Sequence, residues 1–184
     1  MYMNYVQLIG RIVNETHPYN GFAYKVRVRR SGAKEVYDDI DIVLPEKHAL
    51  VIDALYDFSG VLGVRAQKRA KEEVDICVYV TDIYNIEQDE QSFSGVYISG
   101  TITAISKDPK IPNKISLLLK ADDGSHDKYK VVAWNRRRSY IENKQVGDHL
   151  NVCGELVKYF YRSGSEFFYH VEIAFWYESQ PPEE

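Results

Sequence analysis

The stretch from Lys128 to Ile173 reads KYKVVAWNRRRSYIENKQVGDHLNVCGELVKYFYRSGSEFFYHVEI and decides the fold of this chain. At its start, apolar and polar residues alternate with a period of two, which predicts a half-buried strand. Lys128, Lys130 and Trp134 share one face of that strand, so two cations and an indole point the same way. We therefore expect one polar and aromatic face over an apolar one.

The rest of the stretch predicts a short helix followed by a long hairpin. Residues 135–142 can form a helical turn that begins at an asparagine. The strand predicted over 149–161 contains Gly154, and an interior glycine is typical of a bulge or a bend in a barrel strand. The turn residues 163–165 then reverse the chain into a closing strand over 167–175, which is rich in aromatic and β-branched residues.

The chain also contains an internal repeat. Residues 4–12 alternate toward Gly10, and residues 96–102 repeat this pattern toward Gly100, ninety positions later. The chain therefore starts over near its midpoint, and each half has the length of a small barrel.

The first half predicts the same order of elements as the second. Strands are expected over 22–30, 36–44, 60–69 and 75–86. Apolar residues at three- and four-residue spacing predict a helix over 46–57, whose apolar stripe would close the end of a barrel.

The second half resembles the bacterial single-stranded DNA-binding protein (SSB) family, whose domain is an OB-fold. The resemblance is carried by the following residues: Trp134, Gly147, Gly154, Leu156, Tyr161, Gly164, Tyr169, Glu172 and Ile173. It implies an all-β fold of two tandem OB-fold barrels, five-stranded and Greek-key, each with a short helix. A polar run at 87–92 places the boundary, so we expect a first domain over 1–88, a linker over 89–93 and a second domain over 94–184.

Charge and composition limit the possible functions. The chain of 184 residues has a formal net charge of -4, which residues 1–91 carry, whereas residues 92–184 balance 12 basic against 12 acidic residues. The second half is therefore the better candidate for binding nucleic acid. No apolar run reaches membrane-spanning length and no signal peptide is evident, so we expect a soluble, cytoplasmic protein without a membrane partner.

The sequence gives no sign of catalytic or metal chemistry. Cys77 and Cys153 lie far apart in predicted strands, which is typical of reduced, buried thiols, and the five histidines lack metal-ligand spacing. No nucleophile with a partner, paired carboxylate or phosphate-binding loop is evident. We expect no enzymatic activity and no cofactor.

Candidate binding residues combine aromatic rings with cations, as single-strand binders do. The resemblance places Lys128, Trp134 and Tyr161 where the family commonly carries stacking aromatics, so Lys128 is a departure from the pattern. In the second half the candidates are Trp134, Tyr161, Tyr159, Lys128, Lys130, Arg136, Arg137, Arg138, Lys158 and Arg162. In the first half they are Lys25, Arg27, Arg29 and Arg69.

Several of these residues have structural alternatives. Trp134 could lie at a subunit interface, Tyr161 could cap the hairpin core, and residues 136–138 could be a solvated helix start. Trp176 is expected to pack between the units or across a dimer. Asp39 and Asp41 share one face of their strand, and on a binding face they would repel phosphate.

These features together predict a protein that binds single-stranded DNA without sequence preference, in replication, recombination or repair, with RNA as another possible ligand. The alternative is a tandem OB-fold adaptor of a replication or primosome-like assembly that binds mainly protein. The family resemblance further implies a homodimer, which would bring four OB-folds together, with replication proteins as possible partners.

Overall fold

The computed structural model describes residues 3–16, 22–66, 74–87, 91–163 and 166–178. Strands dominate, which confirms the all-β prediction. The first five are β1 (Asn4–Thr16), β2 (Phe22–Arg29), β3 (Tyr37–Leu44), β4 (Leu55–Ala66) and β5 (Val74–Asn85). The next five are β6 (Phe93–Ser106), β7 (Lys114–Ala121), β8 (Lys128–Trp134), β9 (His149–Ser163) and β10 (Glu166–Glu178).

Strands β1 to β5, here called the first repeat, close into a barrel. β1 pairs with both β2 and β4, β2 pairs with β3, and β4 pairs with β5, all antiparallel. The parallel pairing of β3 with β5 completes the ring of five strands. This pairing order is that of an OB-fold.

Strands β6 to β10, here called the second repeat, pair in the same order. β6 pairs with β7 and β9, β7 with β8, β9 with β10, and β8 runs parallel to β10. An antiparallel pairing of β1 with β6 joins the two repeats into one ten-stranded sheet. Alternate residues of each strand point inward, and one hydrophobic cluster contains residues from both repeats.

The glycines that marked the internal repeat hold equivalent structural positions. A Cβ atom at Gly10 would lie 2.6 Å from the carbonyl oxygen of Arg27 on β2, and one at Gly100 would lie 2.3 Å from that of Lys120 on β7. Any side chain at either position would push the first two strands of its repeat apart. The repeat in the sequence thus reflects a repeated close approach of two strands.

The helix predicted over 46–57 is wrong. Leu55 already begins β4, and residues 45–54 form an irregular connection. Its backbone groups bond to β1 instead of to each other: the N–H of Asp53 donates to the carbonyl of Ile12 (2.9 Å), and the N–H of Ile12 donates to the carbonyl of Ala54 (3.2 Å). These long-range bonds replace the i to i−4 bonds that a helix needs.

In the second repeat, the helix predicted over 135–142 is a 3₁₀ helix, Asn135–Tyr140. Asn135 itself has a left-handed backbone (φ 50°), which asparagine tolerates better than most residues. Its N–H donates to the carbonyl of Asn113 (2.8 Å), so the chain turns sharply at the end of β8. No helix in the described ranges is long and apolar enough to cross a membrane.

Candidate nucleic-acid interface

The outward surface of β2 and β3, here called the β2–β3 face, pairs its cations with carboxylates. The antiparallel register places Lys25 opposite Asp41 and Arg27 opposite Asp39. The Lys25 Nζ lies 2.8 Å from Asp41, and the Arg27 guanidinium donates two hydrogen bonds to Asp39, at 2.8 and 3.1 Å. These hydrogen bonds raise the pKa of Arg27. Two predicted phosphate-binding cations are therefore already neutralised across the strands.

Arg29, the third cation of this strand, makes a weaker contact. Its Nε donates to the carbonyl of Ala33 in the β2–β3 turn, at 3.4 Å, and its side chain is exposed. Arg29 is thus the candidate of the first repeat with the most accessible charge among Lys25, Arg27 and Arg29. Arg69, the remaining candidate of this repeat, lies outside the described residues.

The corresponding surface of the second repeat, here called the β7–β8 face, has the opposite charge pattern. The register places Lys120 opposite Lys128 and Lys114 opposite Trp134. Neither strand carries an Asp or Glu residue. Like charges directly opposite each other destabilise a sheet, so the stability of the sheet does not explain this pair of lysines.

An aromatic pair lies at one end of the β7–β8 face. The indole Nε1–H of Trp134 donates to the hydroxyl of Tyr159 at 3.1 Å. The two candidates lie on different strands, β8 and β9, so the sequence did not predict this contact. The Nζ of Lys114 lies 5.3 Å from the Trp134 ring centroid and 5.9 Å from that of Tyr159. Burial raises the pKa of Tyr159. Trp134 remains half-exposed.

The three arginines of the 3₁₀ helix do not act alike. Arg137 donates to the carbonyl of Phe175 at 3.4 Å, and Arg138 donates to the carbonyl of Pro112 while its guanidinium lies 3.8 Å from Glu142. Both arginines therefore fasten the helix to neighbouring segments. Arg136 is exposed in the first turn of the helix, two residues after Trp134. Arg136 is therefore the one of these three best placed to reach a ligand.

The other candidates of the second repeat divide into those with structural contacts and those whose side chains lie outside the description. Lys130 forms an ion pair with Glu172, whose side chain is only 1% exposed. The backbone N–H of Lys158 donates to Asp38 of the first repeat at 3.0 Å. Tyr161 and Arg162 lie on β9, opposite residues 168 and 167 of β10, and their side chains are outside the described part of the structure.

The loop between β6 and β7 flanks this face. A cleft of about 280 Å³ is lined by Lys107, Pro109, Lys114 and Arg138, with Asp108 and Glu142 beside them. Lys114 thus borders both this cleft and the Trp134 ring. The loop and the Trp134 ring are therefore neighbours through Lys114.

Two cations at the site, Lys114 and Lys120, were not among the candidates predicted from the sequence, and a third, Arg30, belongs to the first repeat. Lys114 and Lys120 lie at the two ends of an alternating strand, so the period-two pattern already placed them on its polar face. Arg30 donates to Asp38 at 2.7 and 3.0 Å, which raises the Arg30 pKa, and its guanidinium lies 5.6 Å from the Tyr159 ring centroid. Only the fold brings Arg30 of the first repeat against the second.

Metal ligands are absent from the described ranges, which contain no group of three or more His, Cys, Asp or Glu side chains able to hold an ion. Cys77 and Cys153 are both buried thiols and do not form a disulfide with each other, as predicted.

The fold and this face together define an OB-fold protein with an open surface of aromatic and cationic side chains. Two solved structures of the single-stranded DNA binding protein from Thermus aquaticus are similar to the chain. The wild-type protein gives a TM-score of 0.74 at 17% identity, with 100% of this chain and 95% of that chain covered. A deletion mutant of the same protein gives 0.74 at 19% identity, with 100% and 96% covered.

At this level of identity the likeness establishes the fold, and it confirms the predicted structural resemblance over the whole described chain. No protein-family model matches the chain, and no curated protein matches it in sequence.

Proposed function

We propose that this protein binds single-stranded DNA without sequence preference, with the β7–β8 face as its main contact surface. The observation that carries the proposal is the combination of a half-exposed indole with lysines on two strands that contain no Asp or Glu. Nucleobases stack on aromatic side chains, and cations beside them attract the phosphates of the same strand. The Thermus aquaticus protein with the same fold is a single-stranded DNA binding protein.

In this proposal Trp134 stacks on a base, and Tyr159 holds the indole in position through the hydrogen bond between them. Lys114, Lys120 and Lys128 contact the phosphates along the two strands. A stacked base contributes about 1 to 3 kcal/mol, as judged by alanine substitution. Every base has a flat π face, so such a site does not distinguish sequences, and replication, recombination or repair would each suit it.

The proposal includes the tandem arrangement, in which the two repeats are separate OB-fold domains with a boundary in residues 89–93. The pairing of β6 with β7 and β9 supports it, because it gives the second repeat the strand order of the first. The hypothesis further includes a cytoplasmic location, replication proteins as partners and binding of RNA. Experiments in cells must test these parts.

A homodimer is also part of the proposal, and one surface supports it. The outer face of six neighbouring strands carries a line of apolar side chains, here called the tyrosine row. Tyr5 lies opposite Tyr97, with ring centroids 6.3 Å apart, at its centre. The row comprises Tyr79, Val61, Tyr5, Tyr97, Cys153 and Tyr177, of which Tyr79, Val61, Tyr5 and Tyr177 are 39 to 46% exposed.

The tyrosine row repeats itself about the β1–β6 pairing, since each half contains two tyrosines and one small side chain. An internally symmetric, partly exposed apolar surface suits a self-complementary contact with a second copy of the chain. Sedimentation at micromolar protein tests this: a dimer is expected for the natural chain and a monomer for the Tyr5→Glu, Tyr97→Glu variant. A monomeric mass for the natural chain would contradict it.

The binding proposal is tested by titrating intrinsic tryptophan fluorescence with a long oligothymidylate at low and high salt. Trp134 and Trp176 are the two indoles of the chain. We expect quenching, with the logarithm of the affinity falling by about 0.7 per logarithmic unit of salt for each phosphate contacted. An absence of both quenching and a gel shift at low salt would overturn the proposal. The two similar Thermus aquaticus structures give no support to an adaptor that binds mainly protein. A failure of the chain to bind oligothymidylate would make the adaptor the next hypothesis to test.

A further inference from the structure

A second aromatic and cationic surface lies where the two repeats meet. The turn between β2 and β3 of the first repeat faces the beginning of β6 and parts of β9 and β10 of the second. Between them is a cleft of about 420 Å³, here called the junction cleft. The residues that give it chemical character are Arg29, Arg30, Lys34, Phe93, Glu155 and Trp176.

Two aromatic rings form one wall of the junction cleft. The Trp176 and Phe93 ring centroids lie 6.4 Å apart with an interplanar angle of 52°. The Nε1–H of Trp176 donates to Glu155 at 3.3 Å, so the indole is held at a fixed orientation. Both aromatic side chains are half-buried and line the open cleft. Trp176 thus contacts residues of the second repeat and lines the cleft that faces the first, with surface open to a ligand.

The opposite wall is cationic. Arg29 and Lys34 are exposed on either side of the turn, and the half-buried Arg30 lies between them along the chain. Glu155 is the only carboxylate among the described residues that line the cleft, and it is 5% exposed. It accepts the N–H of Ser31 at 2.9 Å as well as that of Trp176. The accessible charge of the cleft is therefore positive.

Arg30 connects the junction cleft to the site on the second repeat. Its guanidinium donates to Asp38 and to the carbonyl of Lys158, the latter at 3.1 Å, and lies 5.6 Å from the Tyr159 ring centroid. Tyr159 in turn accepts the hydrogen bond of Trp134. The cleft and the base-stacking pair are therefore separated by a single arginine side chain.

We propose that the junction cleft is a second contact site for the same single strand, where a base meets Trp176 while Arg29 and Lys34 bind its flanking phosphates. The inference rests on the proposed function of the β7–β8 face. Aromatic rings with cations beside them are the features that bind single strands without sequence preference. A strand that leaves Trp134 past Tyr159 would next meet Arg30, which lines this cleft.

The two indoles allow each site to report separately. In Trp134→Phe, Trp176 is the remaining indole and reports the junction cleft, whereas Trp176→Phe leaves Trp134 to report the β7–β8 face. Fluorescence of both variants is titrated with short and long oligothymidylates, at the low and high ends of the roughly 4 to 16 nucleotides that one OB-fold occupies. Anisotropy of the labelled oligonucleotide is recorded in parallel to establish that it is bound.

We expect the long oligonucleotide to quench both variants and the short one to quench mainly Trp176→Phe. Quenching in Trp176→Phe, with none in Trp134→Phe when anisotropy shows the long strand bound, overturns the junction cleft and leaves the proposed function standing. Binding of neither oligonucleotide to the natural chain overturns the proposed function itself.

The cations are tested by Arg29→Ala with Lys34→Ala, because neither side chain is buried. We expect the affinity for the long oligonucleotide to fall about tenfold and that for the short one to change less than twofold, since a short strand need not reach the cleft. Lys47→Ala, which removes an exposed cation outside the cleft, is the control. Equal losses for the two oligonucleotide lengths would contradict the proposal.

Discussion

The β2–β3 face and the β7–β8 face occupy the same position in two repeats of the same strand order, yet their cations have opposite surroundings. On the first, Lys25 and Arg27 lie opposite Asp41 and Asp39 and pair with them. On the second, Lys120 lies opposite Lys128 without a carboxylate on either strand. Equal numbers of cations on a strand therefore do not mean equal ability to bind phosphate.

This difference predicts different roles for the two repeats. A cation that is paired with a carboxylate can bind a phosphate only if the carboxylate is displaced. The ion pairs of the β2–β3 face therefore serve mainly to stabilise its own sheet. Under the proposed function, the lysines of β7 and β8, two strands without a carboxylate of their own, attract the phosphates of the nucleic acid. The excess of acidic residues in the first half of the sequence thus has a specific location, because two of them lie on the β2–β3 face.

The largest expected effect separates two ion pairs on β3. Asp38 is 3% exposed and accepts bonds from Arg30 and from the N–H of Lys158, whereas its neighbour Asp39 pairs with Arg27 near solvent. Asp38→Ala leaves buried donors without an acceptor, and we expect it to lower the free energy of unfolding by on the order of 3 kcal/mol. Asp39→Ala should cost less than about 1 kcal/mol. Urea unfolding measures both free energies. Equal losses would mean that the buried Asp38–Arg30 pair contributes no more to stability than the exposed Asp39–Arg27 pair.

Next in size is the loss of base stacking. Trp134→Ala should weaken binding of oligothymidylate by about 1 to 3 kcal/mol, because it removes the half-exposed ring of the β7–β8 face. Tyr37→Ala is a matched control, since Tyr37 is an exposed ring on β3 of the first repeat. Anisotropy titrations at one salt concentration compare them. A loss at Tyr37 as large as that at Trp134 would remove the distinction between the two faces.

A smaller effect concerns the phosphates. Lys120→Ala with Lys128→Ala should lower the salt dependence of the affinity by about 0.7 for each phosphate that the variant no longer neutralises. Lys25→Ala with Arg27→Ala, which removes two cations that already have carboxylate partners, should leave it nearly unchanged. The slope of affinity against salt, measured for both variants, decides the point. Equal slopes would show that ion pairing on the first face does not withhold its cations.

The smallest effect is a gain. Asp39→Asn with Asp41→Asn removes the carboxylates that neutralise Lys25 and Arg27, so we expect a modest rise in affinity and a steeper salt dependence, by up to about 0.7 for each additional phosphate neutralised. Glu46→Gln with Asp82→Asn makes the same change in net charge at exposed positions off this face and is the control. If both variants gain the same affinity, the change in net charge explains the result, and the release of Lys25 and Arg27 from their carboxylates does not.

The second repeat was predicted closely because its alternation is regular. The pattern placed β8 at its observed bounds, and residues 135–142 at a helical turn that the structure shows as a 3₁₀ helix. The first repeat misled because residues 46–57 have helical spacing, and only contacts with Ile12 on β1 overrule that local preference. Among the predicted binding residues, alternation put Trp134 and Lys128 on one face of β8 but could not show that Arg137 and Arg138 fasten the helix to backbone carbonyls.

The sequence by itself determined most of the strands, the internal repeat and the side chains that share a face, because alternation is a local property of the chain. Tertiary structure decided which residues become neighbours across strands. Register pairs Arg27 with Asp39 but sets Lys120 against Lys128, and the packing of the two repeats brings Arg30 to Tyr159. The physical reason is that alternation specifies the face of a strand, whereas charge neutralisation depends on what lies across from it, and that is set by pairing between distant segments.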